Sequence, residues 1–584
     1  MTDKKAFRVL RVNLSDGKAR TTEYGNPAEL LGGSGLAAAL FNEYGSVEDS
    51  ATEPEQPLIL AVGPLTGYFP LMSKAVLGFK SPYTQQYAES HAGGRLAMAL
   101  RFSGYDALIV TGVARAPSCL ILSGRNFEIK SIPYLWGHDV FTTGKYLRRI
   151  EQTGSGHRSI LRIGPAGEQQ VAYASINVDS YRHFGRLGAG AIMGAKNLKG
   201  IIVLGDQTLG FPKGTKYARL YEDIYGQVTK SKAMRKYHDL GTPENLRVLN
   251  ELHALPWRNL LATHSDDIDA ISGEQFAERL LLRQIACAGC PVGCIHIGLL
   301  RESFGNEHEF LYRQVSYDYE PIFAAGAMLG MSQAEAVLSL LEEIDQQGLD
   351  TISTGVALAW ATEALERGII TEKETLTPLQ FGHLNGYQEA VKYLAMRCNE
   401  FYHLLGEGTK AAAARYGGEE FACVLGQEMA GYATGEVYYV SQAYGFRHSH
   451  LDSAGYSYDQ KTVEKDVDNA VNFLVEEERR RVQLTCMVSC LFAREIYTED
   501  RLREALESIG MRQVADNLGQ QTAAVQSRRW QLKFKCGYDP AQVNIPKRFT
   551  EVSTIKGRVD VSFMERVIRT YREKIIGLLP TENR

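Results

Sequence analysis

No stretch of the 584-residue chain approaches the roughly 20 consecutive apolar residues that a bilayer-spanning helix needs. The N-terminus, MTDKKAFRVLRVNLSDGKA, alternates apolar and polar residues after its two lysines and has no apolar core of signal-peptide length. A cytoplasmic protein is therefore expected. Surplus positive charge is missing too: 64 Lys and Arg stand against 68 Asp and Glu, a formal net charge of -4. That argues against nucleic acid as the main partner, because a phosphate backbone needs a basic field. Cysteine is scarce, nine in all and unevenly spread, which argues against a disulfide framework. Thiols that cluster in a reducing compartment read first as metal ligands. Low-complexity linkers are also lacking, and 44% hydrophobic with 23% charged residues excludes a disordered chain. At about 150 residues per domain, three or four domains with substantial cores are expected.

Up to about residue 205 one pattern recurs, a short β-branched or leucine-rich run ending in glycine. It occurs at Leu58 to Gly63, Ala107 to Gly112, Ser159 to Gly164 and Gly200 to Gly205. Such runs predict strands. From about 215 the periodicity turns helical. Ser332 with Glu335 has capping-box spacing, Val337, Leu338, Leu341 and Ile344 mark one apolar face, and Gly348 stops the turn. A second helix is expected from about Thr354, with Gly368 beyond its end. The fold class is thus α+β, divided into a β-rich domain at 1–208 and mainly helical domains at 209–418 and 419–584.

Cys287, Cys290 and Cys294 form a C-x2-C-x3-C run. Three thiolates so spaced can ligate three corners of an iron–sulfur cubane, whose fourth corner needs a distant cysteine. A structural zinc site would use a second C-x2-C knuckle, which the chain lacks. Cys486 and Cys490 are both candidates for the fourth ligand. Four apart on a helix, they would share a face, so spacing does not choose between them.

With these residues in view, the sequence resembles the tungsten-containing aldehyde:ferredoxin oxidoreductase family along nearly its whole length. The matching stretches include LLGGSGLAAAL (30–40), LILAVGPLTG (58–67), FSGYDALIVTG (102–112), GRLGAGAIMGAKNLKGIIV (185–203), the cysteine run, YDYEP (317–321) and DQQGLDTISTG (345–355). The resemblance implies a β-rich base for two molybdopterins covered by two helical domains. It implies a tungsten or molybdenum ion held by both pterins, a nearby Fe4S4 cluster and a magnesium ion bridging the pterin phosphates. Aligned on its flanks, Cys490 falls at the fourth cluster ligand, with Cys287, Cys290 and Cys294 as the others.

The same resemblance assigns roles residue by residue. Glu320 and His450 fall at the active-site glutamate and histidine, two groups whose pKa can be tuned toward neutrality for proton handling. Lys74 stands where the family has an arginine linking cluster and pterin, and His91 where it has an asparagine near the magnesium. Gly185, Arg186, Gly188 and Gly190 belong to the phosphate-facing turn, where missing Cβ atoms permit close backbone approach. Asp345, Gly348, Leu349 and Asp350 match the pterin-binding D-x-x-G-L-D signature; a structural reading makes Gly348 a C-cap and Asp350 the cap of the next helix.

Two departures stand out. The companion D-x-x-G-L-C signature is degraded to TCMVSC at 485–490, without its aspartate, and Asp452 replaces a basic residue after the histidine. One pterin is therefore expected to be gripped differently. Three weaker patterns remain. His448, His450 and Asp452 could form a small metal site, Tyr438, Tyr439, Tyr444, Tyr456 and Tyr458 could line a pocket, and the EEERRR run at 476–481 reads as a solvated helix face or a docking patch.

The function implied is oxidation of a small-molecule aldehyde to the acid, electrons leaving through the cluster to ferredoxin or an iron–sulfur subunit, with a homodimer as an assembly the family allows. The alternatives are reduction of an aromatic thioester or acid on the same scaffold, and a cluster-only electron-transfer subunit.

Overall fold

Two six-stranded sheets absorb the glycine-ended apolar runs. The computed structural model describes residues 4–124, 126–151, 156–212, 214–304 and 309–580. In the first sheet the order is Lys18–Tyr24, Phe7–Asn13, Ala107–Thr111, Leu58–Ala61, Ala75–Lys80, Tyr87–Ala92. In the second it is Arg182–Phe184, Ile176–Val178, His157–Arg162, Leu198–Gly205, Ser118–Ser123, Asn126–Ser131. Each sheet is antiparallel except for one parallel pair, Phe7–Asn13 with Ala107–Thr111 and Leu198–Gly205 with Ser118–Ser123. Central strands such as Leu58–Ala61 and Leu198–Gly205 are buried at every residue, which is why they read as continuous apolar runs.

Period-two alternation then decides what each face covers. On Leu58–Ala61, Leu58 and Leu60 join a core shared with Leu161, Val178 and Val203 of the second sheet. Their neighbours Ile59 and Ala61 point the other way, into a core dominated by helices and centred on residues such as Tyr319, Trp360 and Tyr439. The first sheet therefore serves as a wall between the sheet layer and the helical layer.

The later part of the chain is mostly helical, with one addition the sequence pattern did not reveal. Leu281–Ile285, Ile295–Ser303 and Phe310–Tyr317 form a three-stranded antiparallel sheet. The cysteine run is the turn between its first two strands, and Glu320 follows its last. No single helix among the described residues is long and apolar enough to cross a membrane.

Helix ends follow local chemistry, with one correction. The helix Ala334–Gln347 has Gln333 at its N-cap with no side-chain capping bond, so the expected box at Ser332 does not form. Glu335 instead pairs with Arg279 at 2.8 Å. At the other end Gly348 is left-handed, φ 74°, and a Cβ there would lie 2.7 Å from the Gly164 nitrogen. The next helix starts at Thr351 rather than Thr354, because the Asp350 carboxylate accepts from the Ser353 amide at 2.8 Å.

Gly348→Ala is expected to destabilise the protein by about 1–3 kcal/mol, since it combines positive φ with a backbone clash. A urea midpoint equal to that of the wild type would contradict this account of the turn.

Candidate functional site

Three separate segments meet at one cavity of about 390 Å³ between the sheet layer and the helices. Backbone bonds hold them together. The Leu71 amide donates to Gly289 O at 3.2 Å, Cys490 N to Leu71 O at 2.9 Å, Lys74 N to Val488 O at 3.1 Å, and Ala288 N to Gly94 O at 3.0 Å. Gly289 and Gly293 are left-handed, φ 67° and 68°, and curl the cysteine loop inward. Cys287, Cys290, Cys294 and Cys490 all line the cavity.

Cys486 does not. The helix Val467–Cys486 ends there, Met487 is its C-cap and Val488 turns to φ 54°. The two cysteines consequently never share a helical face, and Cys486 is buried beneath the glycine backbone of Gly33 and Gly63. Among the described residues no three His, Cys, Asp or Glu side chains converge on a single metal ion. A cubane asks for something else: thiolates distributed around a cage, each facing its own corner. Four cysteines on the wall of one cavity fit that demand.

Basic groups stand close to the thiols. Burial pushes the Cys287 thiol up, but Arg182, Lys74 and the Gly94 amide, which donates to its Sγ at 3.2 Å, outweigh this and hold it below its usual range. Burial pushes Cys290 up to about 11 and Cys294 to about 12. Those two are costly as bare thiolates, and metal coordination would relieve the cost.

On the same cavity, His450 Nε2 lies 3.0 Å from Glu320 Oε1, and the Tyr432 hydroxyl donates to that oxygen at 3.0 Å. Burial raises the Glu320 carboxyl, but the His450 contacts prevail and lower it. Its neighbour Asp318 goes the other way, up to about 6, through burial and the Glu320 charge. Asp318 also caps the helix Tyr319–Ala325 that carries Glu320. Two carboxyls two residues apart are thus shifted in opposite directions.

The remaining positions divide into those on the cavity and those behind it. Lys74, His91, Gly185, Arg186 and Asp350 line it. Asp345, Leu349 and Asp350 line an adjoining cavity of about 160 Å³, where Asp345 accepts or shares a proton with His183 Nε2 at 2.7 Å. Gly188 and Gly190 line neither cavity. A Cβ would meet Ala172 O at 2.0 Å from Gly188 and Ser175 O at 2.4 Å from Gly190, so their visible role is close packing of backbone on backbone. Gly348 shapes the turn described above.

Arg186 is held by Glu428 O at 2.6 Å and lies 3.6 Å from Asp350, yet its Nη1 has no partner; Arg182 Nε is likewise orphaned. Buried guanidinium N–H groups left open beside a cavity fit an anionic group such as a pterin phosphate. His91 sits between Glu89 at 3.4 Å and Arg447 at 3.3 Å, and burial together with Arg447 lowers it to about 4, so it is neutral at pH 7.

The departures acquire a physical form. The Thr485 hydroxyl is engaged by Ser34 and Val482 O. Buried Asp452 accepts from Arg447 Nε at 2.7 Å and fixes that arginine on the cavity wall. His448 points away, to Ala443 O at 2.9 Å and Lys533 at 3.1 Å, so His448, His450 and Asp452 do not converge. Tyr438, Tyr439 and Tyr444 are core residues, and Tyr456 stacks on Tyr432 at 4.6 Å without lining the cavity. In the EEERRR run Arg479 and Arg480 pair with Glu476 and Glu477 on their own helix, while Glu478 is buried against Trp530. The sequence pattern did not single out Arg182, Asp318, Tyr432 or Arg447, although Asp318 lies inside YDYEP, Arg447 opens RHSHLD and Tyr432 falls in the tyrosine-rich stretch near 430–460.

A cysteine-lined cavity with a buried acid–imidazole pair, on this two-sheet base, defines an oxidoreductase. The description "aldehyde ferredoxin oxidoreductase, N-terminal domain" matches residues 9–205, and that for its domains 2 and 3 matches 219–575. The chain belongs to the aldehyde ferredoxin oxidoreductase family. It is 32% identical over 437 residues to a tungsten-containing aldehyde ferredoxin oxidoreductase of Pyrococcus abyssi, covering 73% of this chain and 70% of the relative. It is 28% identical over 427 residues to an aliphatic sulfonate oxidoreductase, WOR-like subunit, of Pyrococcus furiosus, covering 70% and 67%. In fold it is similar to the active-site complex BamBC of benzoyl coenzyme A reductase, with a TM-score of 0.81 and 20% identity over 98% of this chain and 95% of that one.

The different settings of the two cysteines generate a direct test. Cys490→Ala is expected to lower iron from about four per chain and change the cluster's paramagnetic signal, whereas Cys486→Ala keeps both. Iron loss confined to the Cys486 variant would reverse the assignment.

Proposed function

We propose that the protein oxidises an aldehyde to the carboxylic acid and passes the electrons, one at a time, through an Fe4S4 cluster to ferredoxin or an iron–sulfur subunit. The observation that carries this reading is the Glu320–His450 contact at 3.0 Å on the cavity that also receives all four cysteines. A tungsten or molybdenum centre held by two pterins would supply the oxygen-transfer and electron-accepting chemistry. Arg182, Arg186 and Arg447 would offer charged donors to the anionic parts of such a group and Lys74 a further cation, while His91 and the Asp350 side chain would serve a magnesium ion or ring donors.

The reaction takes an aldehyde and water to an acid, releasing two electrons and two protons. Glu320, held as a carboxylate by His450 and Tyr432, is the base for the first proton, and His450, in contact through Nε2, orients that carboxylate and keeps it charged. Tyr319 is buried against the same helical core, its hydroxyl bonded to Gly431 O, and keeps the Glu320 helix in place. Burial keeps bulk water from quenching the pair's electrostatics.

Anaerobic purification followed by metal analysis, pterin release and assay of an aldehyde panel with a viologen dye tests the reading. Bound tungsten or molybdenum with aldehyde-dependent dye reduction is expected. Iron without either metal, or reduction of an aromatic thioester with no aldehyde oxidation, would overturn it. Glu320→Gln should lower turnover by about 10²–10⁴-fold with cofactors retained. Tyr432→Phe removes a donor that lowers the Glu320 pKa, so the acidic limb of the pH–rate profile should move to higher pH; a shift to lower pH would refute the assigned base.

A further inference from the structure

The helices Thr215–Lys230 and Lys232–Asp239 cover the cysteine loop and show a distinct outer surface. Their inner residues Ile224, Val228 and Met234 belong to one apolar cluster with Val292, Cys290 and Cys490. The His238 ring bonds the Val292 carbonyl at 2.8 Å, and Tyr237 lies flat on Phe492, two residues from Cys490, with centroids 3.8 Å apart. Outward, the same helices carry Tyr221 and Tyr225, stacked at 6.1 Å and 36% and 43% exposed, beside Phe211 at 57%. Between residues 215 and 239 stand six basic and three acidic side chains, in a chain whose net charge is -4. Lys216, Arg235 and Lys236 pair with acidic neighbours. Among the described residues, no carboxylate lies within ion-pair distance of exposed Arg219, Lys230 or Lys232.

Exposed aromatics on helices where, among the described residues, three unpaired basic residues outnumber one unpaired acid, Glu222, have the composition of a protein-binding surface rather than of ordinary solvent-facing helix. Only one helix thickness, about 10 Å, separates it from the cysteines. The EEERRR run offers no equal, since Arg479 and Arg480 are neutralised within their own helix. We propose that the outer face of the helices Thr215–Lys230 and Lys232–Asp239, together with Phe211, is the docking surface for an acidic one-electron carrier protein. The inference rests on electrons leaving through the cysteine-bound cluster, and it names where they cross the surface.

The test uses the complete holoenzyme with an acidic ferredoxin as the probe, measuring both binding and turnover. Reversing charge at Arg219, Lys230 and Lys232 together (each to Glu) should weaken ferredoxin binding at least tenfold at low salt and flatten its salt dependence. Ferredoxin-linked turnover should fall in parallel, while viologen-linked turnover does not slow. The same reversal at exposed Arg566, Arg569 and Lys574, on the helix Val561–Gly577, should change neither. Tyr221→Ala with Tyr225→Ala should weaken binding with its salt dependence intact. Unchanged ferredoxin binding in the first variant, or equal loss in the control, would overturn the proposal. Binding is read without catalysis, so a protein that fails the aldehyde assay yet still loses ferredoxin at these residues would separate the docking surface from the reaction.

Discussion

The whole site depends on three chain segments lying against one another through their backbones. Leu71 bonds both Gly289 and Cys490, and Lys74 bonds Val488, so the cysteine loop and the 485–490 segment are registered on a single stretch of the N-terminal domain. Such contact needs bare backbone on the opposing side. A Cβ on Gly33 would lie 2.1 Å from Thr485 O, and one on Gly63 2.6 Å from the Met487 carbonyl group. The glycine-rich stretches that look like motifs are, at these positions, the surfaces on which a distant segment rests. Four thiols reach one cavity because the backbone has been brought within hydrogen-bonding distance first.

That arrangement buries many ionisable groups, and the structure satisfies them as a network. Glu89 accepts from Arg529 at 2.8 Å and from Ser34 at 2.7 Å, and although burial alone would raise it, Arg529 and His91 lower it to about 2. Asp452 holds Arg447, and Arg447 meets His91. A buried charge without partners would be severely destabilising, whereas a shared set of charges forms a rigid polar wall. The open N–H groups of Arg182 and Arg186 are among the exceptions, and both residues line the cavity.

Much of the fold was legible because its physics is local. All four glycine-ended apolar runs became strands, and Gly348 and Asp350 ended and began helices as their chemistry requires. The three-stranded sheet at 281–317 was missed, since its outer strands are only partly buried and lack a continuous apolar run. The Ser332 box failed because Glu335 found a better partner in Arg279, far away in the chain.

By itself the sequence determined the thiol spacing, the order of strand and helix, and membership of a family, because each is written in neighbouring residues. The flanks of Cys490 already favoured it over Cys486, and the tertiary structure puts Cys490 alone of the two on the cavity, since the helix they were expected to share ends between them. It alone brought Tyr432 to Glu320, Arg447 to His91 and the basic helices onto the cysteine loop. Those partners lie far apart along the chain, and no spacing rule encodes a contact that exists only once the layers have packed.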